Sequence, residues 1–361
     1  MAFWKTLAVT ARNPFRTEEG FVALDIGSSS VKLLEAEGGK GAYRLLNLGT
    51  LPLPPTAVQN NMVSDREAVV KAVRSLIQAN GIKATKVVSA VPGRAVIIRK
   101  IQLPIQEDEE LDANVEFEAN NVIPESLENV NLDYQVLDYL DDGKRMDVLL
   151  VAVKKDIIRT YTDVIEQAGL SPAIIDVDYF ALENMHELSG EPAPGSMNGL
   201  IHIGARYTTL NVLRDGVSTY TGDLPLAGEA FTEAIMQKLH ISYDQAETYK
   251  VTGLLQGGKN GNLAALLRPI CDSLADEIVR TLRLFGVMAE ERLTSVQLSG
   301  GSAKIPGLAA VLEGRLGVPV KLCDPFRGFS VSKNVDRHYL EDSAPVFAVG
   351  AGLCTRRPGD K

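Results

Sequence analysis

The sequence predicts an α/β protein made of two similar halves with mixed sheets, with a small α+β unit inserted into the first half. Two observations predict this fold class. The segment Ala23–Gly27, ALDIG, is followed by three serines and the strand-like run Val31–Leu34, and Leu200–Gly204, LIHIG, is followed by a polar turn and Leu210–Leu213. Helical and strand-like patterns then alternate after each copy. Two copies are too few for a solenoid, so they indicate a duplicated fold in which each half opens with a β-hairpin.

Length, charge and cysteine content limit the possible classes of protein. The 361 residues, 45% of them hydrophobic, suffice for roughly two domains of about 150 residues each. The formal net charge of −9 argues against a surface that neutralises nucleic-acid phosphates, so no nucleic acid is expected as a partner. The three cysteines form no C-x-x-C pair, which is typical of buried thiols in a reducing compartment. No apolar run reaches the roughly 18 residues of a membrane span, so no transmembrane segment is predicted.

The first half is predicted to contain three strands over Phe21–Thr50 and a helix that begins at a capping box, Ser64-x-x-Glu67. The block 85–154 then has the pattern of a small strand–helix–strand unit. Its helix lies between Pro104 and Pro124, and we interpret its many acidic residues as a solvated face rather than a binding site.

A Gly- and Pro-rich segment, 190–199, is predicted to mark the crossing into the second half. Helices are expected there near 229–239, 243–250 and 270–288, and a helix of small residues near 345–353 closes the chain. These patterns divide the chain into a flexible N-terminal tail (1–20), a first domain (21–84 and 155–195, with 340–361), an inserted unit (85–154) and a second domain (196–339).

The Gly-Ser turn after the first strand has the composition of an anion site. Backbone N–H groups around Gly27 can point at one anion, Ser28, Ser29 and Ser30 add hydroxyl donors, and Lys32 adds positive charge. A single turn of this kind is more often an ordinary structural turn. Two such hairpins facing each other predict a clamp for the phosphates of a nucleotide. Asp25, at the end of its strand, would then lie near Mg²⁺ and act on it through water, because Mg²⁺ keeps most of its water ligands.

Distinctive motifs extend over nearly the whole chain: DIGSSSVKLLE at 25–35, EFEANNVIPESLENVNLDYQVL at 116–137, IIDVDYFALEN at 174–184, IGARYTTLNVL at 203–213, GEAFTEAI at 228–235, AETYK at 246–250 and LSGGSAKIPGL at 298–308. In these motifs the sequence resembles the PilM family of type IV pilus assembly proteins, within the superfamily of actin, heat-shock chaperones and sugar kinases. The stretch PESLENVNLDYQVL, 124–137, separates this family from the related cell-division protein FtsA better than the phosphate loops do.

This resemblance implies an actin-like ATPase fold that binds ATP or ADP with Mg²⁺ between two domains. It implies that block 85–154 is the inserted subdomain 1C. It also implies a cytoplasmic protein that associates with the inner membrane through partners and holds the N-terminal tail of the membrane protein PilN between the first domain and 1C. Self-association into a ring and a link to the motor ATPases of the pilus are further implications.

The family's nucleotide contacts carry over to this chain by position. The first phosphate loop would comprise Gly27, Ser28, Ser29, Ser30 and Lys32, and the second Gly204, Ala205 and Thr208, with Gly228 near the phosphates. The adenosine would contact Glu247, Lys250, Gly300, Gly301 and Ser302. From the residues alone, Glu247 and Lys250, three apart on a helix, equally fit a surface ion pair, and Gly300-Gly301 equally fits a strand-to-helix turn.

One position departs from the superfamily pattern. His202, the counterpart of Asp25 in the second hairpin, replaces the usual aspartate. A neutral imidazole does not organise Mg²⁺-bound water as a carboxylate does, and a packed, hydrogen-bonded histidine is the alternative role for this side chain. We therefore expect ATP binding with weak or absent hydrolysis. Asp176 and Asp178 are general-base candidates by location only.

Two other functions remain open from the sequence. A small-molecule kinase of the same superfamily would need a substrate cleft and a catalytic carboxylate, and no acceptor site stands out. A filament-forming or FtsA-like division protein would usually have a C-terminal amphipathic membrane helix, whereas this sequence ends in GLCTRRPGDK. A chaperone function is not supported, because no substrate-binding domain follows the second half.

Overall fold

The computed structural model describes residues 20–39, 42–105, 108–140, 144–188, 190, 193–253, 262–287 and 292–357. The expected flexible tail, except Gly20, lies outside these residues. The strands of the described residues are β1 Phe21–Ile26, β2 Ser30–Gly39, β3 Ala42–Pro52, β4 Val58–Gln59, β5 Met62–Val63, β6 Lys86–Val91, β7 Val96–Pro104, β8 Val130–Leu140, β9 Arg145–Lys154, β10 Ser171–Val177, β11 Met197–Ile203, β12 Thr208–Arg214, β13 Val217–Leu224, β14 Ser295–Ser299, β15 Val320–Leu322 and β16 Phe329–Val331.

The helices cover the faces of the sheets, as expected for an α/β protein. They are α1 Arg66–Ala79, α2 Asp108–Val122, α3 Lys155–Gln167, α4 Asp178–Glu187, α5 Gly228–Leu239, α6 Tyr243–Thr252, α7 Leu263–Leu284, α8 Leu308–Leu316, α9 Arg337–Ser343 and α10 Ala348–Leu353. Short 3₁₀ segments at Gly93–Ala95, Leu127–Asn129 and Ala344–Phe347 join some of them.

Two sheets repeat one topology. In the first, β1, β2 and β3 form an antiparallel meander and β6 and β10 continue it in parallel from β1, in the order β10-β6-β1-β2-β3-β16. In the second, β11, β12 and β13 form the meander and β14 and β15 continue it in parallel from β11, in the order β13-β12-β11-β14-β15. The predicted duplication of the two halves is therefore confirmed.

The insertion between β6 and α3 is a separate three-stranded antiparallel sheet, β7-β9-β8, with α2 on one face. Its core lies between the helix and the sheet and includes Leu111, Val115, Val148 and Leu150. The start of the unit packs on the first half, because Val96, Ile98 and Val151 contact the cluster beneath α1 and α3. A strand–helix–strand unit was predicted for block 85–154, but the unit begins after β6, because Lys86–Val91 pairs in parallel with β1 and β10 in the first sheet.

The two halves share one of the hydrophobic cores. The cluster around α4 and α10 includes Ala23 and Leu34 of the first sheet together with Leu200 and Leu213 of the second. The other two large clusters belong to one half each, under α1 and α3 in the first half and under α5 to α8 in the second. A shared core at α4 and α10 holds the base of the interdomain cleft together, since burial of apolar area is the main favourable contribution to packing.

Three local predictions differ from the structure. Helix α1 is capped by Asp65, whose side chain accepts from the Ala68 N–H, one residue after the predicted Ser64 cap. Helix α7 begins at Leu263, capped by Asn262, and continues through Pro269, so it is longer at its N-terminal end than the predicted 270–288. Strand β16 pairs in parallel with β3 in the first sheet, although the predicted limits assign residues 196–339 to the second domain. The other domain limits stay a prediction.

The described helices include none that combines the length and the apolar character needed to cross a membrane.

Candidate functional site

Two turns with the same backbone geometry begin the two halves. In the first, the Gly27 N–H donates to the Ser30 carbonyl at 3.0 Å, and in the second the Gly204 N–H donates to the Tyr207 carbonyl at 3.0 Å. The flanking strands pair in the same register, with Ile26 opposite Val31 and Ile203 opposite Thr208. The second hairpin is therefore the structural copy of the first, and Ser29 and Arg206 occupy equivalent positions.

Both turns line one cavity of about 520 Å³ between the halves. This volume is in the range of small-molecule sites, ~300–1,000 Å³. The first half contributes two serines of its turn and the proline-rich segment after β3, and the second half contributes its turn and parts of α5 and α6. The lining residues are Ser28, Ser29, Pro52, Leu53, Pro54, Pro55, Ala205, Arg206, Glu229, Tyr243, Asp244, Glu247 and Thr248.

Asp25 and Lys32 form an ion pair behind the first turn. They are opposite each other on β1 and β2, and Lys32 Nζ lies 3.1 Å from an oxygen of Asp25. The lysine also lies over the turn, because a Cβ placed on Gly27 would come within 2.8 Å of Lys32 Nζ. Glycine at position 27 therefore permits the close approach of a positive charge to the turn.

His202 occupies the position equivalent to Asp25. Its Nδ1 is 2.9 Å from the Ser299 hydroxyl, on the neighbouring strand β14. Burial lowers the pKa of His202, the negative charge of Asp25 raises it and the positive charge of Lys32 lowers it, and the resulting pKa is about 4. The imidazole is thus neutral near pH 7 and hydrogen-bonded, the alternative role that the sequence left open for this side chain.

The second turn is fixed by the N-terminus of α5. The Gly228 N–H donates to the Gly204 carbonyl at 3.0 Å, and the Glu229 N–H donates to the Ala205 carbonyl at 2.7 Å. Thr208, predicted as a phosphate ligand, is fully buried, and its hydroxyl donates to the Leu226 carbonyl at 2.7 Å. The hydroxyl of Thr208 therefore supports the turn from behind rather than facing the cavity.

Glu247 and Lys250 have different positions relative to the cavity. Glu247 lines it, whereas Lys250 is only 6% exposed and lies behind. Lys250 Nζ donates to Glu247 Oε1 at 2.6 Å, to the Thr232 hydroxyl at 2.8 Å and to the Gly228 carbonyl at 3.2 Å. The pair is therefore not an exposed ion pair: Lys250 joins α5 to α6 and holds the Glu247 carboxylate in place.

The Gly300–Ser302 segment packs behind the second turn. Gly300 has φ +91°, and a Cβ there would lie 2.4 Å from the Ile203 carbonyl oxygen. The Ser302 N–H donates to the same carbonyl at 3.1 Å, and its hydroxyl is 3.4 Å from the Gly204 carbonyl. Gly301 is exposed, and a Cβ at this position would meet nothing within 4 Å. Gly300 and Ser302 therefore support the second turn, and none of the three residues lines the 520 Å³ cavity.

Arg206 crosses the cleft, a role that was not predicted from the sequence. Its Nη1 donates to the Val58 carbonyl at 2.8 Å, its Nη2 donates to the Pro55 carbonyl, and its Nε is 3.5 Å from a Glu229 oxygen. An arginine inside a predicted phosphate loop was the available signal. Its partners could not be predicted, because the segment that contains Pro55 and Val58 is about 150 residues away in the sequence.

A second cavity, of about 560 Å³, lies at the start of the inserted unit. The guanidinium of Arg94 stacks on the Tyr207 ring, 3.5 Å from its centroid. Tyr207 follows Arg206 in the second turn, so two adjacent residues of this turn line different cavities. The lining residues are Gly93, Arg94, Val96, Ile98, Arg99, Tyr179, Tyr207, Thr221, Gly222, Asp223 and Pro225.

Two carboxyl groups beside this second cavity accept hydrogen bonds, and one of them, that of Asp223, connects the halves. The Tyr179 hydroxyl, at the start of α4, donates to Asp223 of β13, and Asp223 also accepts from the Thr209 hydroxyl at 2.8 Å. Asp178 accepts from the Gly93 N–H at 2.8 Å. Burial and the negative charges of Asp223 and Asp25 raise the pKa of Asp178 well above its usual range. Asp178 is thus bonded to the Gly93 N–H, and Asp176 lies 3.0 Å from Arg356. Neither residue lines the 520 Å³ cavity, so their role as general bases stays a prediction.

Within the described part of the chain, no group of three or more His, Cys, Asp or Glu side chains is arranged to hold a metal ion. Asp25 lies beside the first turn, with an oxygen 4.0 Å from a Cβ placed on Gly27, and its contact with a cation through water stays a prediction.

Two matching halves around a cleft, each opening with a glycine turn, define the actin-like ATPase fold. A solved structure of ethanolamine utilization protein EutJ from Carboxydothermus hydrogenoformans shares it, with a TM-score of 0.58 and 15% identity over 92% of this chain and 88% of that one. The family model for type IV pilus assembly protein PilM matches residues 23–358, and the chain belongs to this family.

Two further comparisons agree with this assignment. A structure of a PilM–PilN type IV pilus biogenesis complex is 29% identical, with a TM-score of 0.82, and the match covers 93% of this chain and 98% of that one. Cell division protein FtsA of Streptococcus pneumoniae is 24% identical over 84% of this chain and 75% of its own length. The chain is thus an actin-like protein of the type IV pilus assembly class.

Proposed function

We propose that this chain is an ATP-binding scaffold of the type IV pilus machinery, with the nucleotide in the 520 Å³ cavity. The observation that carries the proposal is the pair of equivalent turns, at Gly27 and Gly204, lining one cavity from opposite halves. When bound, ATP would supply a triphosphate whose charge the backbone N–H groups of both turns can stabilise. An ADP complex of MreB5 from Spiroplasma citri has the same fold, with a TM-score of 0.50.

The residues present fit a nucleotide. Ser28 and Ser29 offer hydroxyl donors at the phosphate end, together with backbone N–H groups of the two turns other than those of Gly27 and Gly204, which close the turns. Gly204, Thr208 and Gly228 keep that turn in place, and Lys32 adds charge from behind. At the other end, Glu247 is oriented by Lys250 to accept from a ribose hydroxyl. Gly300 and Ser302 support the second turn from behind, and contact of Gly300, Gly301 and Ser302 with adenosine stays a proposal by position in the family.

The charges of the cavity favour a magnesium complex over free ATP. Arg206 is the single cationic residue in its described lining, against the carboxylates of Glu229, Asp244 and Glu247. An acidic lining repels the four negative charges of free ATP, and Mg²⁺ reduces that charge by two. We infer that Asp25 holds water ligands of the ion. The neutral His202 adds no second carboxylate, so weak or absent hydrolysis is expected.

We further propose that the second cavity, at the start of the inserted unit, receives the N-terminal tail of PilN. It lies where the inserted β7, the first half and β13 meet, and a partly apolar groove with arginines at its edge suits an extended peptide. Binding to PilN would keep this protein on the cytoplasmic side of the inner membrane. Contacts with the motor ATPases and self-association complete the proposed scaffold.

Calorimetric titration tests the nucleotide proposal. We expect saturable binding of ATP and ADP that requires Mg²⁺. Each hydrogen bond to a charged phosphate contributes about 1.5–3 kcal/mol, so Ser28→Ala with Ser29→Ala should weaken ATP binding by at least ~10-fold. Ser75→Ala, at an exposed position of α1, is the control. Absence of nucleotide binding by the wild-type protein would overturn this part of the proposal.

The peptide proposal has a separate test that does not depend on charge. Thr221→Trp places a large ring in the second cavity and should abolish binding of a PilN tail peptide. Thr219→Trp lies two residues earlier on β13, at an exposed position outside that lining, and should bind normally. Unchanged binding by Thr221→Trp would exclude this cavity as the docking site and leave the nucleotide proposal in place.

A further inference from the structure

The second turn contacts both cavities through adjacent side chains. Arg206 lines the proposed nucleotide cavity and donates to backbone carbonyls of Pro55 and Val58 in the first half. Tyr207 lines the second cavity and stacks under Arg94. Adjacent residues on a tight turn point in different directions, so one backbone displacement moves both contacts.

The Tyr207–Arg94 contact reaches the inserted unit directly. Arg94 lies in the 3₁₀ segment Gly93–Ala95, which leads into β7, the first strand of that unit. The same segment is held at its start by the Gly93 N–H, which donates to Asp178 at 2.8 Å. A guanidinium over a tyrosine ring is an attractive contact, so it favours one position of this short segment.

The turn itself has little freedom to absorb a displacement locally. Its base is closed by the Gly204 N–H to Tyr207 carbonyl bond, and α5 holds it through the Gly228 and Glu229 N–H groups. Gly228 has no room for a methyl group, since a Cβ there would lie 2.9 Å from the Gly204 carbonyl oxygen. A closely packed element has few intermediate positions, so a ligand on one side displaces the turn as a unit.

We propose that the Arg206–Tyr207 pair couples the two cavities, so that occupation of the nucleotide cavity changes the affinity of the peptide groove. This inference rests on the proposed function, since it uses both proposed ligands. Arg206 responds to phosphates on one side, and Tyr207 transmits the displacement to Arg94 and β7 on the other. The coupling is reciprocal by thermodynamic linkage, so the peptide changes nucleotide affinity by the same factor.

Two substitutions at Tyr207 distinguish the contact of its aromatic ring with Arg94 from general apolar packing at this position. Tyr207→Phe keeps an aromatic face under Arg94, whereas Tyr207→Leu keeps a smaller apolar side chain without a π face. Tyr220→Leu is the matched control, because Tyr220 stacks on Phe285 elsewhere in the second half, with ring centroids 5.5 Å apart. Melting temperatures and nucleotide affinity of each variant establish that it is folded.

The first measurement is hydrogen–deuterium exchange with and without Mg²⁺ and a non-hydrolysable ATP analogue. We expect the analogue to change exchange in the segment 94–99 in the wild type, in Tyr207→Phe and in Tyr220→Leu, but not in Tyr207→Leu. This readout needs no peptide. Unchanged exchange in the wild-type segment, with the analogue bound by calorimetry, would overturn the coupling and leave the nucleotide proposal intact. Failure of the analogue to bind would instead overturn both.

The second measurement is the dissociation constant of a PilN tail peptide with and without the analogue. The wild-type ratio is expected to differ from one by about fivefold or more, the lower range of typical allosteric coupling. Tyr207 lines the groove, so Tyr207→Leu is expected to weaken the peptide both with and without the analogue, but it should return the ratio to one. A ratio that persists in Tyr207→Leu would show that coupling takes another route and would overturn the role of this residue.

Discussion

At the residue scale, the second turn depends on Gly228 having no side chain. A Cβ at this position would lie 2.2 Å from the Ser302 hydroxyl and 2.9 Å from the Gly204 carbonyl oxygen. The hydroxyl can rotate away, but the carbonyl belongs to the turn. We therefore expect Gly228→Ala to weaken Mg²⁺–ATP binding by at least ~10-fold, a loss of about 1.4 kcal/mol, in a calorimetric titration.

Gly314 provides the control for this substitution. It lies within α8, and a Cβ there meets nothing within 4 Å. Gly314→Ala should raise stability by up to about 1 kcal/mol, because alanine has less conformational freedom than glycine to lose on folding, without changing nucleotide affinity. Equal affinities for Gly228→Ala and Gly314→Ala would contradict the role given to the second turn.

A pH prediction follows from His202. Its pKa is about 4 in the folded protein against an ordinary value of 6.5. Between pH 4 and pH 6.5 the imidazole is protonated in the unfolded chain but neutral in the folded protein, so the unfolded chain binds more protons. The contribution of neutral His202 to the free energy of unfolding is therefore complete above pH 6.5 and is lost as the pH falls towards 4. The slope from one histidine is at most about 1.4 kcal/mol per pH unit.

Urea unfolding at several pH values isolates this contribution by comparison with His202→Asn, which keeps a polar group near Ser299. The wild type should lose stability relative to the variant as the pH falls through this window, whereas buried groups present in both proteins cancel. Parallel pH profiles would contradict the buried, neutral state of His202.

At the element scale, α4 and α10 pack closely where Gly352 of α10 meets Ala181 of α4. A Cβ on Gly352 would lie 1.7 Å from the Ala181 carbonyl oxygen, so the backbone of α4 would have to move. A Cβ on Gly350 would meet Leu34 Cδ1 at 2.1 Å, the end of a side chain that can rotate. Overpacking costs about 1–3 kcal/mol, and more where backbone is displaced.

We therefore expect the loss in free energy of unfolding to be about 3 kcal/mol or more for Gly352→Ala and smaller for Gly350→Ala. Denaturant midpoints of the two variants measure the order. A larger loss for Gly350→Ala than for Gly352→Ala would contradict this prediction. It would mean that α4 and α10 can move apart at Ala181 with little loss of stability.

The elements that could be predicted from sequence are those determined by local pattern. The two hairpins follow from strand-like runs that end at Gly27 and Gly204. Their equivalence could be predicted from the similarity of ALDIG at 23–27 to LIHIG at 200–204. Pro269 concealed the start of α7, because a proline usually ends a helix, yet the Asn262 cap and buried Leu263 and Leu267 hold the first turns in place. β16 was assigned to the wrong side of the cleft because its partner, β3, is far earlier in the chain.

In the candidate site, too, some features could be predicted from local sequence and others could not. The turns and Glu247 could be predicted because their residue types suit the chemistry. That Lys250 and Thr208 face away from the cavity depends on burial, and the Arg206 bonds to Pro55 and Val58 depend on how the halves approach each other. The burial of a side chain and the approach of the two halves cannot be predicted from the spacing of residues within a short segment.

At the scale of the whole molecule, the two halves are joined at two levels. The shared core around α4 and α10, with the Tyr179–Asp223 hydrogen bond beside it, holds the base of the cleft. Arg206 joins the rims through hydrogen bonds to backbone carbonyls of the first half. An apolar core resists separation but permits small rotations, whereas the rim contact is a few hydrogen bonds, each contributing about 1.5–3 kcal/mol when one partner is charged. Arg206 should therefore control how far the cleft opens.

Distances between spin labels on exposed positions of the two halves, Lys71→Cys on α1 and Gln237→Cys on α5, measure this opening. The three native cysteines are buried and should not react with the label. Without nucleotide, Arg206→Ala should broaden the distance distribution and shift it to longer values, because the base alone then holds the halves. The matched control is Arg74→Ala, since Arg74 also donates to a backbone carbonyl, that of Gln167, but within one half. If Arg206→Ala gave the wild-type distribution, the rim contact would not restrain the cleft, and closure would have to depend on the shared core.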